Sequence, residues 1–387
     1  MKIAFVSSVL GYPWGGPDRL WTETAQRMQE RGDSVFLGIS PLTADHDDVR
    51  RLQARGGRLF LRRENSVFRG RRHSLQRRAP VTRGKYLETH LSDFAPDLVV
   101  LTQGGTFDFT AEHHLLEWLE SSMTPFVLVC HQGSDSPPPD AAGREGLVDV
   151  FSRAARTLFV SSANLAAAEH QLRLAIPRAS VIQNPLAWTR AEPLPWPEKK
   201  PAGPAVLFAV GRMDLWQKGW DILLAAASKV ACDQDFVIHL AGRGPDAALI
   251  NEYAAHYGLA SRLVVREFLP AEELEGFWRA GELFLLPSRS EGCASTMLEA
   301  MMCGRPLLTT RVGGVDDWLQ DGVNAFLAVA ASADSVAEAL KRALDERRRW
   351  PEMGLAARAA FDSKRDPDPV GTFVGLLDGL AASLDRR

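Results

Sequence analysis

A chain of 387 residues is long for a single hydrophobic core and natural for two. Its 45% apolar and 24% charged residues describe an ordinary globular protein, and a formal net charge of −3 leaves no global case for a nucleic-acid partner, so any basic site must be local. No apolar run approaches the roughly 18 residues that cross a bilayer. Four cysteines, Cys130, Cys232, Cys293 and Cys303, lack metal-like spacing and are too sparse for a disulfide framework; they read as reduced thiols of a cytoplasmic or membrane-peripheral protein.

The amino terminus has a signal peptide's charge and apolar core but no small-residue cleavage site, and it runs straight into Gly11-Tyr12-Pro13-Trp14-Gly15-Gly16. A buried strand over residues 3–8 is the better reading. A helix is predicted over 19–31, then strands over 35–39, 98–101, 126–130 and 158–160. Their apolarity is continuous rather than alternating, which indicates a parallel sheet covered on both faces, as in a Rossmann-like domain. Residues 58–85 interrupt this pattern with Arg62, Arg63, Arg69, Arg71, Arg72, Arg77, Arg78 and Arg83. Such a stretch is either a surface for anionic lipid headgroups or a phosphorylated acceptor, or a solvated loop.

Between residues 185 and 204 the periodicity stops, and Pro193, Pro195, Pro197 and Pro201 exclude a helix interior or a central strand, so a linker is expected at 188–204. The strand–helix alternation resumes with strands at 205–211, 236–241, 263–265, 283–286 and 307–309. The tail from Pro351 is helical but broken by Pro367 and Pro369. The expected domains are therefore 1–187, 205–365 and a terminal helix at 366–387.

Chemistry-bearing residues fall just past these strands, where a parallel sheet presents its ligand crevice. Gly15-Gly16 lets backbone approach a ligand, or simply makes a turn, and it is not the Gly-x-Gly-x-x-Gly of nicotinamide sites. His131 follows the strand at 126–130, either as a hydrogen-bond donor to a sugar hydroxyl or as a structural residue. Arg212 and Lys218 follow the strand at 205–211; fixed cations there would stabilise a departing diphosphate, and the plain alternative is a solvent-facing pair. Gly242 and Leu269 lie in turns after the next two strands. Glu291, Gly292, Cys293, Ala294 and Ser295 lead from the strand at 283–286 into a helix that contains Glu299. A helix start attracts phosphate, and carboxylates beside it accept hydrogen bonds from sugar and ribose hydroxyls. The spacings Ser288-x-x-Glu291 and Thr296-x-x-Glu299 also fit a capping box. Asp233-Gln234-Asp235 and Asp366-Pro367-Asp368 match a metal-holding pair in letters only, since neither follows a strand at a crevice.

Read together, Ser288-Arg289-Ser290-Glu291-Gly292, Glu299-Ala300-Met301, Cys303-Gly304-Arg305-Pro306 and Thr309-Thr310-Arg311-Val312-Gly313-Gly314 closely resemble the signature of family-four retaining glycosyltransferases. The resemblance implies an α/β GT-B fold, two Rossmann-like domains facing across a cleft, with the last helix returning to the first domain. It implies transfer from a UDP-sugar, GDP-mannose or similar donor to a glycan, lipid-linked or small-molecule acceptor, with no cofactor and no metal. In the family a glycine-rich loop at Gly15 and Gly16 serves acceptor and phosphate, and a histidine at His131 contacts the donor sugar. Arg212 and Lys218 match the cations that bind the diphosphate, although the family spacing is commonly one residue shorter, so a bulge is expected around Leu215-Trp216. Gly242 and Leu269 fall in the loops near the base, and Glu291 and Glu299 in the donor-binding Glu-x7-Glu pair. A sugar-nucleotide epimerase of related fold and a non-catalytic sugar-nucleotide-binding module are the competing readings.

Overall fold

The computed structural model describes residues 1–9, 14–62, 86–132, 139, 141–197, 203–267, 269 and 271–384. The chain divides into two compact units. The first comprises Met1–Val160, Leu165–Pro185 and Pro367–Arg387, and the second Ser161–Asn164 and Leu186–Asp366.

The first unit carries strands β1 (Lys2–Ser7), β2 (Ser34–Ile39), β3 (Arg58–Leu61), β4 (Leu98–Gly105), β5 (Phe126–Gln132), β6 (Arg156–Phe159) and β7 (Ala179–Val181). They form one parallel sheet in the order β3-β2-β1-β4-β5-β6-β7. Both faces are apolar because successive side chains alternate between two cores. Ile3, Phe5, Leu98, Val100, Val127 and Val129 pack on one face, and Ala4, Val6, Val99, Leu101, Leu128 and Cys130 on the other. The helix Gly16–Glu30 covers the first face with Leu20, Trp21, Ala25 and Met28.

The tail closes the same face. The helix Trp350–Lys364 ends before Pro367, and a new helix, Pro369–Leu384, starts with proline in its first turn, where the missing N–H costs no bond. Phe373 and Leu377 from that helix are fully buried in the same core as Trp21 and Val35. Each such side chain contributes roughly 1.5–3 kcal/mol, so the tail is anchored in the first unit.

The second unit carries β8 (Ala205–Val210), β9 (Phe236–Ala241), β10 (Leu263–Arg266), β11 (Leu283–Leu286), β12 (Leu307–Thr310) and β13 (Ala325–Ala328), parallel throughout, in the order β10-β9-β8-β11-β12-β13. Residues 186–197 hold no helix or strand, as Pro193, Pro195 and Pro197 lead one to expect, yet they are packed into this unit. Leu186 and Leu194 join its core, and the buried Arg305 guanidinium donates to the Leu194 and Pro195 carbonyls at 3.3 and 2.8 Å.

Three strands were absent from the sequence expectation: β3, β7 and β13. Strand β3 begins inside the arginine-rich stretch, and Arg62 beyond it is no surface residue. It is buried, pairs with Glu112 at 2.5 Å and donates to the Ser7 carbonyl. The arginines at 63, 69, 71, 72, 77, 78 and 83 lie outside the described residues. Among the described residues no helix is long and apolar enough to cross a membrane.

Candidate functional site

In the second sheet the chain runs outward from β8 in one direction through β9 and β10, and in the other from β11 through β12 and β13. Loops leaving β8 and β11 therefore part to opposite faces, the strand order that in open α/β sheets sets the ligand position beyond the carboxyl ends of the two strands. Arg212 and Lys218 follow β8; Glu291 and the turn to Ser295 follow β11.

The two loops are fastened to each other by side chains. After β8, Asp214 caps a single helical turn, Leu215–Lys218, by accepting from the Gln217 N–H at 2.8 Å. That turn takes up the residue expected to bulge and leaves Trp216 63% exposed, with the Arg289 guanidinium over its ring. Lys218 Nζ then lies 2.6 Å from Glu291 Oε1, which also accepts from Ser288 Oγ at 2.7 Å. Both bonds use Oε1, so Oε2 keeps acceptor capacity. Arg289 grips Asp221 bidentately at 2.8 and 2.6 Å, and its backbone N–H donates to the Gln217 carbonyl at 2.9 Å. Gln217 also accepts from Arg212 Nη2 at 2.6 Å, which orients the second cation.

Glycine is required where these backbones meet. Gly219 has φ +67, and a Cβ there would stand 2.0 Å from the Pro287 carbonyl oxygen. At Gly242 a Cβ would fall 1.7 Å from the Gly211 oxygen, so β9 closes directly on the β8 loop.

The helix Ser295–Met302 starts at Ala294, and no side chain caps it. The capping-box alternative is thus not what forms: Thr296 sits inside the helix, and Ser288 bonds the Glu291 carboxylate rather than a backbone N–H. A helix start without a side-chain acceptor presents its first-turn N–H groups and the positive end of its dipole. Gly292 and Cys293 form the approach to it, with the Gly292 oxygen accepting from the Gly314 N–H at 2.7 Å. Glu299 is buried one turn into the helix.

In the first unit, the Gly15 N–H donates to Asp18 at 2.9 Å, and Gly16 opens the helix Gly16–Glu30. His131 lies near the carboxyl end of β5, 5% exposed, with Nδ1 3.4 Å from Asn184 Nδ2. The structure thus joins Arg212, Lys218, Glu291 and the Ser295 helix start on two tied loops, and it carries Gly15, Gly16 and His131 on the other unit. Leu269 is half-buried, and its neighbours at 268 and 270 lie outside the described residues. Asp235 pairs with Arg262, while Asp368 accepts from Arg27 and from the Gly371 N–H; no cluster of three or more potential metal ligands exists among the described residues.

Residues 204–346 match the family model described as glycosyl transferases group 1. The second unit is a group 1 glycosyltransferase domain. Over 145 residues the chain is 32% identical to 2-deoxystreptamine glucosyltransferase of Streptomyces kanamyceticus, a match spanning 37% of each protein. It is 29% identical over 150 residues to the GDP-mannose-dependent alpha-(1-6)-phosphatidylinositol monomannoside mannosyltransferase of Mycolicibacterium smegmatis, spanning 37% of this chain and 39% of that relative. These alignments span less than half of either protein. The whole chain shares its fold with Anabaena HepE, solved in complex with UDP: TM-score 0.69 at 18% identity, covering 99% of this chain and 100% of that one. The architecture is GT-B.

In the glycosyltransferase domain, sequence reasoning missed the residues that hold the cations and Glu291 in place: Gln217, Ser288 and the Arg289–Asp221 pair. Ser288 had a signal in its three-residue spacing from Glu291, read there as a cap. Gln217 had none, because a side chain that orients another carries no motif of its own.

His131 makes the first unit sensitive to acid. Burial alone pushes its pKa down to about 3, so the ring stays neutral, whereas an unfolded histidine titrates near about 6.5. The folded state binds fewer protons between those values, so this contribution is whole above the unfolded pKa and is lost as pH falls toward 3. At about pH 5 the loss is about 2 kcal/mol. Asp18 works oppositely: burial raises its carboxyl from 3.8 to about 6, so its contribution declines as pH rises through that window. Denaturant titrations of wild type and His131→Gln should show the variant losing about 2 kcal/mol less between pH 7 and about pH 5. Equal losses would remove His131 from this role.

Proposed function

We propose that the chain moves a sugar from a nucleoside-diphosphate sugar to a hydroxyl acceptor, retaining the anomeric configuration and using no metal ion. The observation that carries this reading is the Lys218–Glu291 contact at 2.6 Å, which ties the loops leaving β8 and β11, with Arg212 on the first loop and an uncapped helix start on the second. Breaking the sugar–phosphate bond leaves negative charge on the diphosphate. Arg212, Lys218 and the N–H groups near Cys293, Ala294 and Ser295 stabilise that charge, the work a metal ion does in other transferases. Glu291 accepts from sugar hydroxyls and Glu299 from the ribose. The leaving diphosphate oxygen then takes the acceptor hydroxyl's proton on the face it has just left, and the new bond forms on that face. His131 donates a hydrogen bond to the donor sugar.

Support comes from the activities of the similar glucosyltransferase and mannosyltransferase and from UDP in the HepE structure. The acceptor class in this reading is a glycan, a lipid-linked hydroxyl or a small metabolite. A cytoplasmic setting belongs to the same reading and is supported by four free cysteines. The test is incubation with a panel of nucleotide sugars, with and without hydroxyl acceptors. Released nucleoside diphosphate accompanied by a glycosylated acceptor supports transfer. Isomerised donor in the absence of acceptor would make the protein an epimerase, and binding without turnover a non-catalytic module.

A further inference from the structure

His131 is surrounded in an unusual way for a polar ring. It is buried, and among the described residues no carboxylate lies within ion-pair distance and Nε2 has no hydrogen-bond partner. Its other nitrogen, Nδ1, faces the amide nitrogen of Asn184 at 3.4 Å. The two residues come from different parts of the first unit: His131 from β5, and Asn184 from the segment that follows β7.

A neutral imidazole has one N–H and one bare nitrogen, and the bond made by one nitrogen decides the state of the other. With the amide nitrogen of Asn184 facing the ring as donor, Nδ1 accepts through its bare lone pair and the proton sits on Nε2. A buried N–H without a partner is costly, which makes this atom a donor waiting for an acceptor. A sugar hydroxyl oxygen is such an acceptor.

We propose that Asn184 is a positioning residue: it holds His131 in the Nε2–H tautomer, so that the ring presents a hydrogen-bond donor to the donor sugar. This rests on the role given to His131 in the proposed function. The isosteric Asn184→Asp reverses the logic, because a carboxylate only accepts and draws the proton to Nδ1, turning Nε2 into an acceptor that no longer complements a hydroxyl oxygen in the same way.

The experiment labels the histidine rings of the full-length chain with 15N, assigns His131 by its loss in His131→Gln, and reads which ring nitrogen is protonated without substrate. Wild type should show the proton on Nε2. Asn184→Asp should move it to Nδ1, and Asn184→Ala, a second variant in case the first fails to fold, should give a mixture of tautomers. A wild-type proton on Nδ1, as an amide oxygen facing that atom would produce, overturns the inference. So does a proton that stays on Nε2 in Asn184→Asp, or wholly on Nε2 in Asn184→Ala. Where transfer is measured, Asn184→Asp should lower kcat at least about tenfold while leaving nucleoside-diphosphate affinity within about twofold. The tautomer is read on the free protein, so failure of every nucleotide sugar to turn over would count against the proposed function and leave this result to stand or fall by itself.

Discussion

Replacing Arg212 with alanine is expected to lower kcat by about a hundredfold or more, with a smaller change in KM, because the interaction lost is one that strengthens as charge develops on the leaving diphosphate. The surrounding loop should survive the substitution. Its Arg212 carbonyl accepts from Trp220 Nε1 at 3.1 Å, and the Met213 N–H donates to the Arg243 carbonyl at 2.9 Å, both independent of the guanidinium. Arg212→Lys should recover only part of the rate, since an ammonium restores the charge but not the two-pronged fork that meets two oxygens and reaches Gln217. The check is a steady-state comparison of the three proteins with matched unfolding midpoints. A rate for Arg212→Ala within about threefold of wild type would take Arg212 out of the site.

The second large effect concerns the fold. Arg305 is wholly buried, and among the described residues no carboxylate lies within ion-pair distance. Its guanidinium donates to the carbonyls of Leu194, Cys303, Gly304, Pro195 and Arg279 and lies over the Trp196 ring at 5.3 Å. Burial depresses its pKa to about 10, which still leaves it charged at neutral pH. Arg305→Ala removes every one of those donors, leaves buried carbonyls unbonded and opens a cavity, at a cost of about 3–5 kcal/mol to the second unit. Arg305→Met fills the space over Trp196 but supplies no donor, so it should recover a minority of the loss. Urea unfolding followed by tryptophan fluorescence reads the difference, and a loss under about 1 kcal/mol for Arg305→Ala would show that the carbonyls find other partners.

How much of this was legible in the sequence follows from which interactions are local. Strands such as β1, β4, β5, β8 and β11 are continuous apolar runs and declared themselves. β3, β7 and β13 are only three or four residues each at or near sheet edges, where an arginine or a turn blurs the pattern. Glu291 and Lys218 could be named from their places after strands. Their mutual contact depends on Gly219 letting the loop pass the Pro287 carbonyl, a close approach no spacing rule encodes. The arginine at 62 illustrates the reverse error, a charged residue assigned to the surface by composition and found buried against Glu112. Asn184 and Gln217 were invisible because each acts on another side chain rather than on a strand or a ligand.

The central claim is that Arg212, Lys218 and the start of the helix Ser295–Met302 form one diphosphate site. Calorimetric titration of UDP, GDP, ADP and dTDP into wild type and Lys218→Gln tests it most directly. At least one of these nucleotides should bind wild type and lose at least about tenfold in affinity in the variant, since a compact charge beside the phosphate oxygens is removed. Equal affinities in the two proteins, or no binding of any of the four to wild type, would contradict it.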